Sequence, residues 1–190
     1  MTVGLFEPSL AGKWVSLLKE VTPNVERIAL MYNPEPGNNS AAFRQSIDAV
    51  ANSVGISSIE TPSGDSSDID RLIRSLKEKP NSGLIFLPDA ITYVRRAQVT
   101  ALVAQCGLPA VYPFRAFCEV GGLMSYGVKI DKIIASAVSY VDRVLRGTNP
   151  AELPVQAPTQ FELVVNQRVA REFGLRLPTG LLSRADEVME

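Results

Sequence analysis

Short apolar runs of strand length alternate with apolar stripes of helical period from Leu10 to about residue 128, and this alternation leaves few architectures open. Leu10, Trp14, Leu17, Leu18 and Val21 fall on one helical face, with Ser9 as a cap and Pro23 after its end. RIALMYN, residues 27–33, is an apolar run too short for a helix. Phe43, Ile47, Val50, Ala51 and Val54 form the next helical face, closed by Gly55. The cycle repeats with a weak strand over 56–60 and a helical stripe of Ile69, Leu72, Ile73 and Leu76. A strand over 83–87, a helix over 92–105 stopped at Gly107, and short strands over 109–112 and 123–126 follow. Strands in strict alternation with helices imply a parallel sheet covered on both faces, with right-handed crossovers. The expected fold is therefore α/β, a doubly wound parallel sheet.

The rhythm changes after residue 128. Ile130, Ile133, Ile134, Ala137, Val138, Val141 and Leu145 mark a long helix ending at Gly147, and NPAELPVQAPTQ reads as an extended connection. One more strand over 161–165 and a short helix ending at Gly174 complete the tail. We divide the chain into 1–128, an α/β ligand-binding lobe, and 129–190, a long helix with a returning segment. The second unit is too small to bury a core of its own, so it is expected to pack on something else.

Several function classes have little support. Lys and Arg number 19 against 20 Asp and Glu, with no long block of either sign, which disfavours a nucleic-acid partner. No apolar run approaches the roughly 20 residues of a membrane-spanning helix. The start, MTVGLFEPSLAGKW, lacks the basic and apolar regions of a signal peptide, so the chain as written is expected to stay in the cytoplasm. There is no histidine, and hence neither the commonest general base nor the commonest metal ligand. No G-x-S-x-G, G-x-x-x-x-G-K-[ST] or G-x-G-x-x-G pattern occurs. We expect no enzyme, no metal and no cofactor. Cys106 and Cys118 read as buried structural thiols, with a disulfide between them as the alternative.

Ligands of open parallel sheets bind beyond the carboxyl ends of the strands. The loops there begin at Asn33, Thr61, Pro88, Pro113 and Tyr126. Asn33 and Asn38 either offer amide groups to a ligand or simply form turns. Asp89, at the tip of an apolar strand in LIFLPDAITYVRR, either favours the positive end of the following helix or accepts bonds from a ligand ammonium or hydroxyl. Thr92 is a second candidate cap. Tyr112, Phe114, Phe117 and Tyr126 are either core filling or the apolar wall of a pocket. Arg115 either forks onto a ligand carboxylate or sits in solvent.

FEPSLAGKWVSLLKEVTPNVERIALMYNP, GLIFLPDAITYVRR, LPAVYPFRAF, GGLMSYG and the run from Tyr140 to Val188 together resemble the substrate-binding proteins of ABC-type uptake systems, the group related to tryptophan and tyrosine uptake. The resemblance covers essentially the whole chain. It implies one lobe of a type I periplasmic-binding-protein-like fold with a C-terminal strand and helix extension. Such proteins carry an export signal and two lobes that close on a small polar, amino-acid-like ligand. This chain reads as the second lobe plus the returning segments, so the first lobe, or a second copy in a homodimer, would cover the tail. The resemblance also implies an ABC permease and ATPase as partners and a periplasmic location. It places Phe6, Glu7, Asn33, Asn38, Asp89, Thr92, Tyr112, Phe114, Arg115, Tyr126 and Gly127 at the cleft. Val128 and Lys129 stand where the family pattern carries Pro-Asp. A cytoplasmic ligand-sensing or regulatory module built on the same lobe is the alternative.

Overall fold

The computed structural model describes residues 8–35, 40–63, 66–154 and 157–190. After a 3-10 turn at Pro8–Leu10 come α1 (Ala11–Val21), β1 (Arg27–Tyr32), α2 (Ser40–Ser53), β2 (Ser57–Pro62), α3 (Ser66–Lys77) and β3 (Ser82–Phe86). Then follow α4 (Ala90–Val94), α5 (Arg96–Cys106), β4 (Ala110–Tyr112), α6 (Arg115–Cys118) and β5 (Met124–Val128). The tail holds α7 (Ile130–Leu145), β6 (Phe161–Asn166), α8 (Gln167–Glu172), α9 (Thr179–Leu182) and β7 (Glu187–Met189). The seven strands form one sheet in the order β2-β1-β3-β4-β5-β6-β7.

The first five strands are parallel, as the alternation requires. β1, β3, β4 and β5 are buried on both faces, and their side chains sort by parity. Ile28, Leu30 and Tyr32 join one core, and Ala29 and Met31 the other. The first core lies under α1 and α2, where Trp14, Leu18, Phe43 and Ile47 meet the sheet. The second lies under α3, α5 and α6, with Ile69, Ile73, Val103 and Phe117. Gly107 ends α5 in the left-handed region (φ 64°), a conformation that glycine adopts without strain.

Two expectations are corrected. The helix foreseen over 92–105 starts earlier, at Ala90, and breaks at Arg95, whose ψ of 15° leaves the helical region. Beyond the lobe, where the expectation of a parallel sheet does not reach, β6 runs antiparallel to β5. The chain leaves the sheet past Val128 and returns along the same edge, the Lys129 N–H donating to Gln160 O at 3.1 Å, so β6 must start where β5 ends. Finally, residues 161–189 do not pack elsewhere. They add β6 and β7 to this sheet and place Leu163, Val165, Val169 and Leu181 in its first core. α7 packs Ile130 and Ile133 against that core. It leaves Ile134, Val138, Val141 and Leu145 between 51% and 81% exposed.

Candidate functional site

A parallel strand ends in a row of loops on one edge, and here that edge gathers the groups that converge most closely. Pro88 follows β3, Pro113 and Phe114 follow β4, and Gly127 and Val128 end β5. With Leu10, Trp14 and Phe43 from the helices above, they line a small apolar depression. Trp14 is set by two contacts: its ring stacks on Phe43 (centroids 5.6 Å apart), and its Nε1–H donates to Tyr126 O at 2.7 Å. Gly127 is dictated by space, since a Cβ there would lie 1.8 Å from the Pro113 carbonyl oxygen. Trp14, Leu10 and Phe43 read from sequence only as helix core. Nothing in their spacing distinguishes a side chain at the rim from one beneath it.

The structure places the other expected residues one by one. The Asn33 side chain is buried, and its Oδ1 accepts the Glu35 N–H at 3.0 Å, shaping the loop after β1. Asp89 caps α4. Its Oδ1 accepts the Thr92 N–H at 2.8 Å, and its Oδ2 accepts the Thr92 hydroxyl at 2.6 Å. Its carboxylate is therefore fixed in orientation and half-buried, with lone pairs left over, since an ionised carboxylate has about four acceptor positions. Phe114 packs edge-on against Tyr93 at 5.6 Å. The Tyr126 hydroxyl accepts from Lys13 Nζ at 2.9 Å, and the same ammonium lies 5.1 Å from the Tyr126 ring centre. Phe6, Glu7 and Asn38 lie outside the described residues.

Three assignments change. Tyr112 is no cleft wall. It is 1% exposed and clustered with Phe86 (4.9 Å) and Phe117 (4.8 Å), and burial pushes its phenol above the ordinary value. Strand parity decides this: Val111 faces the first core, so Tyr112 faces the second. Thr92 is buried and spends its hydroxyl on Asp89, so its part is to hold that carboxylate. Arg115, its side chain 40% exposed, is engaged by the chain's own carboxylates. Its guanidinium meets Glu119 at 2.9 Å, Glu187 at 3.0 Å and Glu162 at 3.4 Å. Glu162 and Glu187 come from the two tail strands, whose pairing beside α6 was invisible in the sequence.

Catalytic and metal chemistry find little here. Among the described residues no group of three His, Cys, Asp or Glu is placed to hold a metal ion, and no helix is long and apolar enough to cross a membrane. Both cysteines are free thiols. Cys118 is buried, and that burial pushes it up to about 12, far from a reactive thiolate, whereas Cys106 is half-exposed. A concavity of about 760 Å³ lies between α7 and residues 157–160, beside the end of β5. Lys129, the residue after β5, walls it together with α7 and one extended segment.

A family model described as ABC transporter substrate binding protein matches residues 2–189. The chain belongs to this family. The family is one of solute-binding proteins and not of enzymes. Among solved structures, a conserved domain protein from Vibrio cholerae is 26% identical, with a TM-score of 0.84, over 94% of this chain and 60% of that one. The ABC domain from Streptococcus pneumoniae in complex with L-Trp is 24% identical, also with a TM-score of 0.84, over 94% of this chain and 62% of that one. A probable maltose operon transcriptional repressor from Staphylococcus aureus shares the fold at 14% identity and a TM-score of 0.61, covering 86% of this chain and 60% of that one. The chain thus spans about 60% of the length of the solved structures it resembles. The likeness makes the sheet a lobe of the type I periplasmic-binding-protein kind. No curated protein matches the chain.

Proposed function

We propose that this lobe grips one side of a small polar, amino-acid-like ligand on the carboxyl edge of its sheet, for uptake by an ABC permease and ATPase. The observation that carries this reading is the pairing of an oriented, half-buried Asp89 carboxylate with an apolar depression at neighbouring strand ends. A carboxylate beside an apolar surface suits an ammonium next to an aliphatic or aromatic body. The L-Trp held by the Streptococcus structure has that chemistry. Asp89 would accept from the ligand ammonium, Phe114 would offer apolar surface over the buried Trp14, and Asn33 and Thr92 would act by fixing the loops. In this role the protein works in the periplasm.

The test is a thermal-shift and calorimetric screen of this chain against amino acids and small aromatic acids, run beside a two-lobed chain of the relatives' length. A ligand that binds only the native state stabilises it by about 2.7 kcal/mol at a hundredfold excess over Kd. A shared ligand for both chains supports the reading, while no shift in either overturns it. The alternative is a sensory module on the same lobe, whose fold the repressor shares. An effector without a transport phenotype on deletion would select it.

A further inference from the structure

The chain leaves the sheet after β5 and re-enters at β6, and the root of that excursion is crowded with charge. The outgoing and returning segments stay paired through the Lys129 N–H and Gln160 O. Beside this junction Arg115 holds Glu162 of β6, Glu187 of β7 and Glu119 at the end of α6. Lys129 Nζ lies 3.4 Å from Asp186 Oδ1, and Asp186 Oδ2 accepts the Leu163 N–H at 2.9 Å. The charged and titratable groups around Glu162 therefore come from every neighbouring element: Arg115, Cys118 and Glu119 from α6, Lys129 after β5, Asp131 from α7, and Asp186 and Glu187 from β7 and the residue before it.

Glu162 is the unusual member, a glutamate only 8% exposed. Its cation is shared with two other carboxylates and lies 3.4 Å away. A buried charge needs close, complete pairing to offset its lost hydration, and Glu162 does not have it. We propose that Glu162, Arg115, Lys129 and Asp186 form a proton-sensitive clasp at the root of the α7 arm, closed with Glu162 protonated and released as Glu162 ionises.

The direction follows from linkage. Burial pushes the Glu162 carboxyl above its ordinary value, against the pull of Arg115 and Lys129, so the closed form prefers the proton. Its contribution is complete below the ordinary glutamate range and is lost as pH rises through the raised value. Asp186 behaves oppositely. The Leu163 N–H, and then Lys129, hold its carboxyl below the ordinary value, so its contribution is present above the ordinary aspartate range and lost as pH falls through the lowered one. The clasp is tightest in mild acid, between these limits, and it sets how firmly the outgoing and returning segments stay paired at the root of α7. It operates whatever molecule the lobe binds.

The experiment is a carboxyl-carbon NMR titration of the full chain, with hydrogen exchange at the Lys129 and Leu163 amides corrected for intrinsic rates. We expect Glu162 to titrate above the exposed glutamates. We expect protection of the Lys129 amide to fall several-fold from mild acid to neutral pH in the wild type and to stay level in Glu162→Gln. Glu162 titrating with the exposed glutamates, or the same pH slope in Glu162→Gln, overturns the clasp. Should Glu162→Gln not fold, Arg115→Gln decides: losing the cation must raise the Glu162 midpoint further, and an unchanged midpoint refutes the coupling.

Discussion

Gly127→Ala is the substitution whose outcome the geometry constrains most tightly. The added Cβ would sit 1.8 Å from Pro113 O and 2.9 Å from Pro113 C, whereas real Cβ contacts do not fall below 3.0 Å. Both obstacles are backbone, so no rotamer change can relieve them. Either β5 or the loop after β4 must move by more than an ångström. That movement strains the Tyr112–Ser125 pairing, which sits immediately beside the clash. Overpacking in a well-filled interior costs typically about 1–3 kcal/mol, and a backbone-on-backbone clash belongs at or above the upper end. Urea unfolding should show a lower midpoint with an unchanged slope. Because Pro113 and Gly127 both line the depression, any ligand found for the wild type should also bind more weakly. The control is Gly180→Ala, on α9, where a new Cβ meets nothing within 4 Å. It should be neutral or stabilising by up to about 1 kcal/mol. Equal midpoints for Gly127→Ala and the wild type would refute the claim that this close approach shapes the site.

Other substitutions separate packing from binding. Asn caps helices about as well as Asp, so Asp89→Asn should leave the unfolding midpoint nearly unchanged. It should weaken an ammonium ligand roughly 10- to 100-fold, the value of a charged hydrogen bond, as calorimetry would show. Leu18→Ala, at a fully buried site, should cost about 2–5 kcal/mol. A Cβ at Gly83 would lie 2.6 Å from Leu18 Cδ2, so Leu18→Ala with Gly83→Ala should lose less than the two single costs combined in a denaturation cycle. The exposed stripe of Ile134, Val138, Val141 and Leu145 should drive self-association of this chain. Light scattering should detect a dimer that Val138→Glu with Val141→Glu returns to monomer, and a wild-type monomer at high concentration would refute it.

The α/β alternation was legible because its two periods differ: runs such as Ile28–Met31 are buried on both sides, while Trp14, Leu18 and Val21 share one face. The loops at the strand ends were legible too, since topology alone selects them. What the side chains in those loops do was not. Asp89 carries the same letters whether it caps or binds, and the 2.8 Å bond from the Thr92 N–H shows that it caps. Tyr112 and Tyr126 look alike in sequence, yet one lies in the second core and the other at the rim. Arg115 was misread for a different reason. Its partners lie 47 and 72 residues further along, on strands whose antiparallel return no local pattern announces.

The same partnerships limit how this lobe can hold a ligand. Near the strand ends, Arg115 and Lys129 are paired with the chain's own carboxylates, and Asp89 shares its oxygens with Thr92. What remains for a ligand is mainly shape: a shallow apolar surface and the spare lone pairs of one carboxylate. An aromatic side chain has about 150–250 Å² to bury. If one lobe covers half of it, about 2–3 kcal/mol of the apolar contribution is realised at about 25 cal/mol per Å², and an equal share waits for a facing surface. That missing share corresponds to roughly one to two orders of magnitude in Kd. This chain should therefore bind the same ligand as a two-lobed relative with the same dependence on Asp89, but at concentrations higher by that factor. Equal affinities would mean that the depression at the strand ends already encloses the ligand, and that the second surface contributes little to holding it.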